Sequence, residues 1–99
     1  MNYKTKIGNV ILTPERKAHI IRHHPIMEDY LTNLSAVLEK PDEIRYSSRN
    51  NEVLLFYRYF DNIEAGKYIV VVVNSIEKSV TTAYLSHRIK MGKKYEKES

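Results

Sequence analysis

Tyr68-Ile69-Val70-Val71-Val72-Val73 is a short run of β-branched, apolar residues. It is too short and too β-branched for a helix and has no polar face, so it reads as an interior strand buried on both sides. Val53-Leu54-Leu55-Phe56-Tyr57-Arg58-Tyr59-Phe60 has the same two-faced character, and Asp61 to Gly66 forms the loop between them. Working outward, Asn74 to Ser79 turns the chain into Val80-Thr81-Thr82-Ala83-Tyr84-Leu85. On the other side Ile44 to Tyr46 is a short strand, joined to Val53 through the turn-forming cluster Ser47-Ser48-Arg49-Asn50-Asn51. The C-terminal half therefore reads as a four-stranded antiparallel meander.

The N-terminal half reads as helices. In Leu12-Thr13-Pro14-Glu15-Arg16-Lys17-Ala18-His19-Ile20-Ile21-Arg22-His23-His24-Pro25, Thr13 is a cap, Pro14 occupies the first helical position and Glu15 meets the positive dipole end. Pro25 disfavours helical geometry at His24, so this helix stops at about His23. From Met27 or Asp29, Tyr30, Leu31, Leu34, Val37 and Leu38 recur at helical spacing, and Pro41 ends that second helix by Lys40. Residues 1–9 are polar, and Val10-Ile11-Leu12 can add a short edge strand. The expected fold is α+β, with two N-terminal helices packed on one face of a four-stranded antiparallel sheet.

Composition bounds the function. The chain has 99 residues, 42% hydrophobic, the size of one domain, with a core over about 10–90 and a basic tail over 91–99. It has no apolar stretch of membrane-spanning length and no signal-peptide pattern. It lacks cysteine, which excludes disulfides and thiolate metal sites and fits a cytoplasmic location. A formal charge of +4 favours a polyanionic partner.

The last strand alternates. Ala83 and Leu85, with Thr81, point toward the helices; Thr82, Tyr84, Ser86 and Arg88 point the other way, onto a face able to hold a phosphate and a base. Threonine and tyrosine are also ordinary strand residues. Arg58 in a two-faced apolar strand is either a core-edge ion pair or a phosphate ligand. His19 and His23 share a helix face, and His24 sits at the break. Two imidazoles can divide base and acid roles in RNA cleavage by the ribose 2′-hydroxyl, a route that needs no metal. His19 and His23 with Glu28 or Asp29 could instead hold zinc, and His23 could simply cap the helix end. No serine stands in a nucleophile-elbow context.

The order of these motifs, His19-Ile20, Arg22, His24-Pro25, Lys40-Pro41-Asp42-Glu43-Ile44, Tyr57-Arg58 and Thr82-Ala83-Tyr84, resembles the phage-associated branch of the barnase, EndoU, colicin and RelE-like superfamily of RNases and toxins. The resemblance spans roughly residues 12–90. It implies metal-independent RNA cleavage without a cofactor, with His19 and His24 as the histidine pair, Arg58 as an anion ligand, and Thr82 and Tyr84 on the final strand. His23 does not match the pattern. Arg22, Tyr57, Arg88 and Lys90 are expected to contact substrate, and Lys93, Lys94 and Tyr95 either track RNA or form a solvated tail. A toxin of this kind implies an acidic antitoxin or immunity protein as partner. A non-catalytic RNA-binding or toxin-like module on the same fold is the alternative.

Overall fold

The structure, a computed structural model, describes residues 1–89 and 92–95. Its first elements are β1 (Asn2–Thr5) and β2 (Gly8–Ile11), followed by helix α1 (Pro14–His23). A 3-10 helix (Pro25–Asn33) leads into α2 (Leu34–Glu39), and the chain then forms β3 (Glu43–Tyr46), β4 (Val53–Phe60), β5 (Lys67–Asn74) and β6 (Ser79–Ser86). One sheet runs in the order β1-β2-β6-β5-β4-β3. The strands from β3 to β6 form the expected antiparallel meander.

The expected four-stranded sheet is corrected to a six-stranded mixed one. The hairpin β1-β2 is added, and β2 joins β6 in parallel at Ile11↔Ser79. Polar composition hid β1, whose inward residue Tyr3 pairs with Val10 and is buried, while Lys4 stays on the exposed edge. Outward lysines suit an edge strand, because they discourage pairing with another chain.

The second helix is also corrected. Residues 25–33 are 3-10 rather than α, starting from the His24 carbonyl, which accepts Met27 N–H at 2.9 Å. The threefold turn keeps Met27 and Tyr30 on one side, facing the core, and the α geometry begins only at Leu34. The main core lies between the helices and one sheet face, built on Ile20, Met27, Leu34, Leu38, Phe56, Ile69 and Val71.

The opposite face is partly covered. Tyr57, Val70 and Val72 form a second buried cluster, on which Ile89 packs. After β6 the chain reaches the outer edge of β3. There Tyr46 N–H bonds to Lys93 O and Tyr95 N–H to Ile44 O, both at 2.8 Å. The expected solvated tail is thus replaced, over residues 92–95, by an edge segment paired through Arg45↔Lys94. Lys90 lies outside the described residues.

Candidate active site

A β-bulge sets the site. Val72 pairs with Thr82 but Val73 with Val80, so Thr81 is the extra residue on β6. Beyond Ser79 the β6 edge has no pairing with β2, and α1 lies against it. Arg16 Nε and Nη2 both donate to the Thr81 carbonyl, at 3.1 and 2.8 Å. Thr13 caps the same turn, accepting Arg16 N–H at 3.2 Å. These bonds fix α1 to β6, so the chain leaves the helix at His24 beside Tyr84, with ring centroids 5.7 Å apart.

A cleft of about 510 Å³ opens there, lined by His23, His24, Glu64, Lys67, Tyr84 and His87 among others. Lys67 and His87 flank the Tyr68↔Ser86 register pair. Lys67 Nζ stands 2.8 Å from His87 Nδ1. The loop before β5 turns through left-handed backbone at Glu64 and Ala65, φ 45° and 64°, and brings Glu64 to the cleft. Tyr84 is half-buried, and burial, then the neighbouring Tyr57, push its phenol above the usual value of 10.0. It therefore keeps its proton at neutral pH and acts as a hydrogen-bond donor.

The family model for phage-Barnase-EndoU-ColicinE5/D-RelE like nuclease2 matches residues 2–97. The chain belongs to this nuclease family. Comparison with curated proteins and with solved structures gives no match. The expected phage-associated branch is thereby established, and the mixed α+β architecture is the frame on which this nuclease carries its site.

Within that frame the candidate residues divide. His24 and Tyr84 meet at the cleft. Thr82, two residues before Tyr84 on the same strand face, has a buried hydroxyl without a partner among the described residues. Arg22 is exposed in the last turn of α1, and Arg88 is exposed just past β6, its N–H bonding Ser86 Oγ at 3.3 Å. His19 does not line the cleft. Its ring lies 4.3 Å from that of His23. Desolvation, then the positive charge of Arg16, His23, Arg22 and His24, lowers the His19 imidazole below 6.5. No group of three or more His, Cys, Asp or Glu able to hold a metal occurs among the described residues. The zinc reading of His19 and His23 accordingly finds no third ligand there.

Two candidates are placed elsewhere. Arg58 lies on the helix-covered face, where Nη1 donates to Lys40 O at 2.7 Å, close to the C-terminal end of α2. Its guanidinium also stands 5.8 Å from the Phe60 ring centroid. Lys40 O, rather than an acidic side chain, accepts from this nitrogen, and no ion pair to Arg58 occurs among the described residues. Tyr57 is fully buried in the second cluster, with its ring edge-on to Tyr68, and has no surface for substrate. The sequence reading missed Arg16, Lys67 and Glu64 and did not number His87 among the site residues. Only the β5-β6 register could have singled out Lys67 and His87, which lie 20 residues apart.

Proposed function

We propose that this nuclease cleaves RNA without a metal or cofactor, acting as a toxin or phage-element effector. The observation that carries the reading is the apposition of the His24 and Tyr84 rings at a cleft that also receives Lys67 and His87. A base removes the 2′-hydroxyl proton, the 2′-oxygen bonds to the adjacent phosphorus, and the 5′-oxygen leaves with a proton from an acid. The products are a 2′,3′-cyclic phosphate and a free 5′-hydroxyl. Two imidazoles suffice for both proton transfers.

His24 is one of them. His87 shares its cleft, whereas His19 follows the motif order of the family; either supplies the second. The Tyr84 phenol and Lys67 ammonium stabilise charge on the phosphorane, while the exposed Arg22 of the last α1 turn and Arg88 just past β6 hold the flanking backbone, with Thr82 behind Tyr84 on the same strand. An acidic antitoxin or immunity protein that covers these cations is the expected partner.

The experiment compares wild type with His24→Ala, His87→Ala and His19→Ala for RNA binding and for cleavage. His24→Ala is expected to bind RNA while cutting about 10²–10⁴-fold more slowly, the worth of one general acid or base. The second imidazole is whichever of His87 and His19 gives a comparable loss. A wild type that binds RNA and never cuts it selects the non-catalytic RNA-binding module.

A further inference from the structure

Tyr84 lines two clefts. The first contains His24; the second, about 390 Å³, is bounded by Tyr46, Ser47, Ser48, Arg49, Leu55, Tyr84 and Gly92. We propose that the second cleft is a nucleotide subsite, holding the phosphodiester and base next to those held beside His24. The proposal rests on the RNA-cleavage reading for the polymer it names.

Its chemistry differs from that of the histidine cleft. Among the described residues no acidic side chain lines it and the Arg49 guanidinium has no partner. Ser47 Oγ accepts Arg49 N–H at 3.3 Å, which ties the loop backbone together while the guanidinium stays available. A free, exposed arginine beside serine hydroxyls suits a phosphate, which accepts two parallel N–H bonds from one guanidinium. Tyr84, half-buried at the border of the two clefts, offers aromatic surface to a base, as single-strand binding sites do. The volume falls in the usual range for small-ligand sites.

The floor is apolar, made by Leu55 on the sheet. One wall is fixed by Arg45, which is the register neighbour of Leu55 and donates from Nη1 to Gly92 O at 2.6 Å and from Nη2 to Glu43 at 2.9 Å. Gly92 keeps the wall thin, since a Cβ there would lie 2.8 Å from Tyr46 O. One strand of RNA can thus run from the histidine cleft across Tyr84 to Arg49.

The test uses the full chain carrying His24→Ala, so that RNA stays intact, with and without Arg49→Ala. A short single-stranded RNA is titrated over a range of salt concentrations by fluorescence anisotropy, and backbone amide shifts are followed at saturation. Arg49→Ala is expected to weaken binding about tenfold, as for one charge-assisted hydrogen bond, and to reduce the log-log salt slope by about 0.7. RNA is expected to move the Ser47, Ser48 and Arg49 amides. Lys4→Ala, on the far edge strand, serves as the control for a general loss of charge. An unchanged slope, an equal loss in Lys4→Ala, or unmoved loop amides overturns the subsite even if wild type cuts RNA. Conversely, if wild type leaves RNA intact but the Arg49 effects appear, the subsite stands and the cleavage chemistry falls. Absence of RNA binding overturns both.

Discussion

His19 on α1 and His24 just past its end, five residues apart, meet different surroundings. His24 leaves the helix axis at the break before Pro25 and lies beside a half-buried phenol. His19 is surrounded by positive groups and partly desolvated, so it prefers the neutral form. The sign of the pH effect follows. Below 6.5 the unfolded chain binds a proton at His19 that the folded chain resists, so folding stability is lost as pH falls through that range. An NMR titration should give His19 a midpoint below 6.5, and Arg22→Gln should raise it by removing one nearby cation. A His19 midpoint at or above 6.5 would contradict this environment. The positions of His24 and Tyr84 in the fold follow the sequence, one from the helix break before Pro25 and the other from strand alternation. Lys67 was not legible, because only the register brings it to His87.

Among the elements, α1 and strands β4 to β6 were readable because local signals agree with their environment. Thr13 caps α1 as expected, and the β-branched runs lie in the sheet interior. The Thr81 bulge carries no comparable signal, since consecutive threonines fit a regular strand equally well. Yet that bulge frees the carbonyl that anchors Arg16 and so places His24. Arg58 has a contact that strand composition does not signal. A charged residue in an apolar strand suggests an ion pair or an anion ligand, and the structure shows its Nη1 on a carbonyl at the end of α2. Arg58→Met should therefore lower unfolding free energy by about 1 kcal/mol in denaturant titration, with RNA cleavage by the folded variant retained. Loss of cleavage at unchanged stability would return Arg58 to the site.

At the scale of the whole molecule, the meander was legible and its closure was not. Pairing of β1-β2 onto β6, and of residues 92–95 onto β3, joins segments far apart in sequence; only the Val10-Ile11 part of β2 carries a strand signal, and β1 and residues 92–95 carry none. The second pairing, with Ile89 on the Tyr57 cluster, turns a face expected to be open into a partly covered one. Gly92 permits the close approach to Tyr46. Gly92→Val should lift this segment, and amide exchange at Tyr46 and Tyr95 should accelerate while the β5 amides stay protected. Unchanged exchange at both would show that the edge pairing tolerates a side chain there.

The most direct test of the central claim is incubation of the purified protein with RNA in excess chelator, followed by analysis of the fragment ends. A metal-free histidine mechanism predicts continued cleavage that leaves 2′,3′-cyclic phosphate and 5′-hydroxyl ends and is lost in His24→Ala. Cleavage abolished by the chelator and restored by a divalent cation, or fragments ending in 5′-phosphate, would contradict it.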